Sequence, residues 1–339
     1  MNKQKPFFIA ELSANHCGDF NLAKKLIKTA KENGADAVKL QTYTADTMTI
    51  KSDKKYFKIK DGLWKGYQLW DLYNKAHTPL KWHRKLFSYA KSLGIKIFST
   101  PFDESAVDFL EKLNCQIYKV SSFEITDLLL IKKIAKTKKP MIISTGTASL
   151  KEIELAFKTA KKYGAKEITL LYCISNYPAR VEDFNLENIK ILKKKFKCRI
   201  GLSDHSIDNR VAITAVALGA TVFEKHIVTE KQTKGFDIEF SLKGKEILKY
   251  RNDINLAFNL IKNTKKNSSD KKSTIYRRSV FAYKDIKKGE KFTRENIKKV
   301  RPNYGLHPKY FEKILNKKCL KNISVGDPIT KNCVKINEI

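Results

Sequence analysis

The sequence predicts an α/β fold: a (β/α)8 barrel followed by a small, β-rich C-terminal domain. Three observations lead there. One pattern repeats from the N-terminus to about residue 228: an amphipathic helix, a short break often carrying Gly, then an apolar strand. The strands are rich in Ile, Val, Leu and Phe with little alternation, as expected of parallel strands covered on both faces. Eight such units in about 250 residues is the arithmetic of a closed barrel. A doubly wound open sheet is the competing architecture, but the first strand runs into "SANHCGD" and not into a G-x-G-x-x-G turn.

Taken in order, the expected strands are "FFIAEL" (7–12), "DAVKLQ" (36–41), "IKIFST" (95–100) and "QIYKVS" (116–121). They continue with "PMIIST" (140–145), "EITLLY" (167–172), "CRIGLS" (198–203) and "TVFEKH" (221–226). Helices between them end in "KENGAD", "KSLGIK", "KKYGAK" and "ALGAT", where Gly just past the last turn serves as a C-terminal cap. The second unit carries an insertion, residues 42–80, containing "GLWKGYQLWDLYNKAHTP". Its aromatics suit either helix packing or a substrate-reading loop, and the sequence leaves both open. Residues 1–261 are expected to form the barrel domain, ending in a long helix. Residues 262–273, "KNTKKNSSDKKS", read as a polar linker, and 274–339 as the small domain.

Composition bounds the function. Hydrophobic residues make up 42% of 339, enough for a sizeable core. No apolar run approaches the roughly 20 residues of a membrane span, and the N-terminus is a poor signal peptide, so a cytoplasmic protein without membrane attachment is expected. The six cysteines include no C-x-x-C pair and read as reduced thiols. The net charge of +33 is nearly all lysine, dispersed along the chain, with little of the arginine that reads bases. It is read as a solvated surface whose field draws in anions, not as a nucleic-acid interface.

Barrel enzymes carry their chemistry at the C-terminal ends of the strands. Here the tips offer Glu11, Asn15 and His16; Lys39 and Gln41; Ser99 and Thr100; and Lys119, Ser122 and Glu124. Then come Ser144 and Thr145; Ser175, Asn176 and Tyr177; Ser203, Asp204 and His205; and Glu224, Lys225 and His226. Strands seven and eight are neighbours, so His205 and His226 are expected to converge and to suit a divalent metal with open positions. A closed structural zinc site wants four protein ligands. Lys39, Lys119, Ser122, Ser144 and Ser203 form an expected anion site. Glu11, Glu124 and Asp237 are candidates for proton transfer or sugar hydroxyls. A Schiff-base aldolase using Lys119 or Lys39 is the rival chemistry, and needs no metal.

Together "IAELSANHCGD", "GADAVKLQTY", "FSTPFD", "YKVSSFE", "GLSDHS", "EKH", "RRSVFAYKDIKKGE" and "VRPNYGLHPK" resemble the sialic acid synthase family, over nearly the whole chain. These enzymes condense phosphoenolpyruvate with an amino sugar, and the resemblance implies a transferase that forms a C–C bond. The tail resembles the family's antifreeze-like (SAF) domain. "LSANH", "QTYT", "GLWKG" and "RPNYGLHP" are most similar to the subgroup that makes pseudaminic acid from 2,4-diacetamido-2,4,6-trideoxy-L-altrose. N-acetylneuraminate and legionaminate synthesis are the alternatives. The resemblance implies that His205 and His226 hold Mn²⁺, or else Mg²⁺ or Co²⁺. It implies that Lys39, Thr100, Lys119, Ser122, Ser144, Tyr177 and Ser203 grip phosphoenolpyruvate. Glu11, Lys39 and Glu124 would work at the reacting carbons. Gln41, Glu124, Asp237 and Arg301 would meet the sugar, Arg301 reaching in from the partner of a domain-swapped homodimer. Cys17 departs from the family's usual small or amide residue at that position, and has no expected role.

Overall fold

The computed structural model describes residues 5–262 and 268–335, which fall into two compact units on either side of residues 263–267. In the first unit eight parallel strands close on themselves: β1 (Phe7–Glu11), β2 (Ala37–Thr42), β3 (Lys96–Pro101), β4 (Tyr118–Val120), β5 (Met141–Ser144), β6 (Ile168–Cys173), β7 (Arg199–Asp204) and β8 (Val222–Val228). Each pairs with the next, and β1 pairs with β8 from Phe7↔Val222 to Glu11↔His226. The closure that favoured a barrel over an open sheet is therefore present. A two-residue strand, β9 (Leu242–Lys243), extends the far end of β8.

The helices follow from local chemistry. The main ones are α1 (Phe20–Glu32), α2 (Ala45–Met48), α3 (Leu69–Ala76), α4 (Leu80–Ser92), α5 (Glu104–Lys112) and α6 (Leu128–Lys136). They continue with α7 (Leu150–Lys162), α8 (Asn188–Phe196), α9 (Asn209–Leu218) and α10 (Lys245–Lys262). Asp19, Asp103, Asp127 and Asp208 cap α1, α5, α6 and α9 by accepting from first-turn N–H groups, and Ser149 forms a capping box with Glu152 on α7. Gly219 ends α9 at φ +102°, where a side chain would be strained. The apolar stripes of these helices bury against the sheet in one continuous core, which contains Ile27, Leu86, Leu110, Ile131 and Val211.

Gly201 deserves its place in "GLSDHS" on steric grounds. A Cβ there would run into the Val222 carbonyl of the next strand. Only glycine lets β7 lie this close to β8, and these are the two strands that end in histidine.

The insertion 42–80 holds α2, α3 and a 3₁₀ turn at Lys55–Phe57, in place of a featureless loop. Of the expected linker, 263–267 lies outside the described residues, while 268–273 is a short helix, α11 (Ser268–Ser273). The second unit has its own core around Val280, Phe292, Ile297 and Ile329. Its regular β structure is slight: β10 (Ser279–Ala282) pairs antiparallel with β11 (Ile297–Val300), and single bridges supply the rest.

Candidate active site

The strand tips converge as expected, and the result is a buried cluster of charges. Lys39, Lys119, Glu11 and Glu224 are each 5% exposed or less. Lys39 contacts the Glu11 carboxylate, donates to Thr100 Oγ1 at 3.0 Å and lies 3.9 Å from Glu224. Lys119 lies 3.5 Å from Glu224, which also accepts from Ser203 Oγ at 3.1 Å. The Ser13 N–H donates to Glu11 at 2.7 Å and fixes that carboxylate.

Burial opposes every one of these charges, and pairing decides which survive. Burial pushes the Glu224 carboxyl up, but Lys119 and Lys39 outweigh it and hold the group at about 2. Lys39 is raised despite burial because Glu11 and Glu224 face it. Lys119 is lowered by burial, with Glu224 countering in part. Lys119 is thus the more easily neutralised of the two ammoniums.

Ser122 accepts from the Gly146 N–H at 3.1 Å. Ser144 Oγ is buried with no hydrogen-bond partner among the described residues. An unpaired buried hydroxyl is a donor in reserve, as an anion site needs.

His205 and His226 stand with ring centroids 5.5 Å apart. His205 Nδ1 meets the Ile174 carbonyl at 2.8 Å, so Nδ1 carries a proton, and in the neutral ring Nε2 keeps a lone pair. His226 Nδ1 is buried, makes no hydrogen bond among the described residues, and faces Asp237 Oδ2 at 3.4 Å. Burial raises the Asp237 carboxyl, but His226 and Ser13 outweigh it and lower it. A fixed tautomer and an unpartnered imidazole nitrogen are what a divalent ion would need. Among the described residues no set of three or more His, Cys, Asp or Glu is arranged to hold an ion. Two imidazoles would therefore leave positions for substrate and water.

A cavity of about 400 Å³ opens beside Ser13 and His226. Its polar floor includes Ser13, Gln41, Glu124, Tyr177, His226 and Asp237. Glu124 contacts Ser121 Oγ, and burial raises its carboxyl. The insertion supplies an apolar part of the wall: Met48, Ile59, Trp64, Leu69, Leu72 and Ala76. The insertion thus does both things its sequence suggested, packing a helix and facing the cavity. Tyr177 packs against Trp64 and His205 with tilted rings, the centroids 5.6 and 4.5 Å away.

Some residues fall elsewhere. His16 is a packing histidine. It accepts from the Gly18 N–H at 3.1 Å, meets Thr78 Oγ1 at 3.1 Å and lies edge-on to Trp82. Asn15 ties the first loop to the segment around Asp237 by accepting from the Asp237 N–H at 3.1 Å. Arg301 lies exposed in the second unit, directly after β11. Cys17 is exposed, and its thiol meets the carbonyls of Asn15 and Lys234 at 3.5 Å each. Sequence reasoning noted Glu224 at its tip but gave it no role. Alternation had the signal: Ser203 and His205 share one face, and so do Glu224 and His226. Phe240, edge-on to both imidazoles, carried no signal at all.

A closed barrel with a buried cluster of lysines and carboxylates and an imidazole pair at its C-terminal mouth, joined to a separate small domain, places the chain among the barrel enzymes. The chain belongs to the NeuB family, whose model matches residues 26–266, and it carries a SAF domain at 277–335. It is 44% identical to a pseudaminic acid synthase of Campylobacter jejuni, over 96% of each chain. It is 41% identical to the N,N'-diacetyllegionaminic acid synthase of the same species, over 94% of this chain and 97% of that one. Among solved structures, the N-acetylneuraminic acid synthetase of Leptospira borgpetersenii, in complex with citrate, superposes with a TM-score of 0.71. It is 31% identical, over 80% of this chain and 90% of that one.

Proposed function

We propose that this chain is a synthase that joins phosphoenolpyruvate, water and 2,4-diacetamido-2,4,6-trideoxy-L-altrose into pseudaminic acid and phosphate. The observation that carries the reading is the two-part site: a buried cluster of two lysines and two carboxylates, and a cavity lined by both polar and apolar side chains. The cluster suits the phosphate and carboxylate of one substrate. The mixed lining of the cavity suits a sugar that carries hydroxyls beside methyl and acetyl groups. A legionaminic precursor has the same groups in a different configuration, and the match to a legionaminic acid synthase favours it as the second reading.

In this reading Lys39, Lys119, Ser122, Ser144 and Ser203 hold phosphoenolpyruvate, with Thr100 and Tyr177 beside it, and Gln41, Glu124 and Asp237 orient the open-chain sugar. C3 of phosphoenolpyruvate forms the new bond to the aldehyde carbon. Water adds at C2, and phosphate departs with cleavage of its C–O bond, which makes the enzyme a transferase. In this reading Glu11, fixed by the Ser13 N–H and paired with Lys39, would take the proton from that water. His205 and His226 would hold a divalent ion, Mn²⁺ in this reading, with Mg²⁺ or Co²⁺ as substitutes. Such an ion supplies Lewis acidity to the aldehyde oxygen. Burial keeps bulk water from the cluster and strengthens each charge interaction there.

Arg301 is proposed to meet the sugar from the partner of a domain-swapped homodimer. Among the described residues no helix is long and apolar enough to cross a membrane. A cytoplasmic location is proposed, because phosphoenolpyruvate is a metabolite of the cell interior.

The test is phosphate release from phosphoenolpyruvate with Mn²⁺, offered the altrose derivative, its legionaminic counterpart or N-acetylmannosamine. Release with the first alone supports the reading. Release with another moves the acceptor assignment and keeps the chemistry. No release with any, with or without metal, removes it.

A further inference from the structure

The residues next to the two histidines have no part in the chemistry above, yet they are among the most buried charges in the chain. Asp204 is 0% exposed and Lys225 is 2% exposed. They are direct partners in the register of β7 and β8. Side chains alternate along a strand, so this pair points away from the face that carries Ser203, Glu224 and the histidines. It lies instead toward the helical layer, where Tyr250 of α10 donates its hydroxyl to Asp204 Oδ2 at 3.2 Å.

The contacts are specific. Lys225 Nζ lies 3.5 Å from Asp204 Oδ1. That same oxygen accepts from the Ser206 N–H at 2.9 Å and from Ser206 Oγ at 2.7 Å. Lys225 donates to the Ser206 carbonyl. The carboxylate thus grips one end of residue 206 and the ammonium the other, and the chain between Asp204 and Ser206 is His205. From the other side, the His205 carbonyl accepts from the Ala179 N–H at 3.0 Å.

Stability alone does not account for the pair. Removing two charges from water offsets most of their attraction, and an apolar pair of the same size is often as stable. An apolar pair, however, cannot hold both the N–H and the carbonyl of Ser206. We propose that Asp204 and Lys225, braced by Tyr250, are positioning residues that fix the separation of His205 and His226 and so preset the metal site. This inference rests on the reading that the two histidines bind a divalent ion.

The test is Mn²⁺ binding to the full-length protein, followed by electron paramagnetic resonance of the free ion, with no substrate present. The variants are Lys225→Met, the double variant Asp204→Leu/Lys225→Met, and His205→Ala as the control that removes a ligand. The double variant is expected to stay folded with a lowered urea midpoint, since the Ser206 and Tyr250 groups lose their partners, while its Mn²⁺ affinity weakens roughly 10- to 100-fold, the usual effect of losing groups that orient a ligand. Unchanged Mn²⁺ affinity in a folded double variant overturns the positioning role. If the double variant fails to fold, Lys225→Met decides on the same readout, and unchanged affinity there overturns it equally. A wild type that binds no Mn²⁺, or a His205→Ala variant that binds it as well as wild type, overturns the metal reading and this inference with it.

Discussion

Glu224→Gln tests the charge cluster most directly, because the structure supplies the magnitude. Glu224 is held at about 2 against an ordinary value of 4.5, a difference built from Lys119 at 3.5 Å and Lys39 at 3.9 Å acting against burial. At about 1.4 kcal/mol per pKa unit, the ionised carboxylate contributes on the order of 3 kcal/mol to stability at pH 7. Because its pKa is depressed on folding, that contribution is complete above pH 4.5 and fades as pH falls toward 2. The amide keeps the shape and removes the charge. Urea unfolding at pH 7 should therefore show the variant less stable by about 3 kcal/mol, with the gap shrinking to roughly half at pH 3. Adding Lys119→Met should recover much of the loss, since the buried amine left without its carboxylate partner is then replaced by an apolar group. In turnover the single variant should raise KM for phosphoenolpyruvate on the order of tenfold. Lys119, already lowered by burial, loses its counterion and with it the proton needed for a charge-assisted bond. A gap below about 1 kcal/mol, or one that does not change with pH, would refute the charge account.

Three other outcomes are expected. Burial holds His16 and His83 neutral at about 4, so each contributes stability that is complete above pH 6.5 and is lost as pH falls toward 4, on the order of 3 kcal/mol apiece. Unfolding followed across that window should show uptake of about two protons, and His83→Gln should remove about half of the slope. Met48→Gln and Leu69→Gln, which place amides on the apolar wall, should lower kcat/KM for the diacetamido sugar roughly tenfold and leave KM for phosphoenolpyruvate unchanged. A matching loss for both substrates would show that the wall serves the fold and not the acceptor. Arg301→Ala should raise KM for the sugar while sparing phosphoenolpyruvate, and mixing it with a barrel-site variant such as Lys119→Met should restore activity if the arginine acts across a dimer; unchanged kinetics in the single variant would end that role.

The eight strands were legible because each unit repeats the same local grammar. The apolar run at 7–12 leads into a capped helix, the run at 221–226 follows one that ends at Gly219, and glycines at the helix ends need the left-handed backbone that other residues avoid. Strand tips could be read for chemistry because a barrel sends all eight C-terminal ends to one mouth. His205, His226, Lys39 and Lys119 were found that way. What remained hidden was set by the third dimension. His16 looked like a tip residue, and Trp82 and Thr78, more than sixty positions along the chain, make it a core histidine. Lys39 and Lys119 looked like an open anion site, and the structure gives them Glu11 and Glu224 as counterions. "LSDHS" and "FEKH" each offered two charged or polar neighbours of a histidine, and only the closing of β7 onto β8 decided that Glu224 faces the chemistry while Asp204 and Lys225 brace it from behind. Local sequence fixes which residues a strand carries and at what period. Which face meets the lumen, and which charges meet one another, depends on contacts between strands far apart in the chain, and those arise only when the barrel closes.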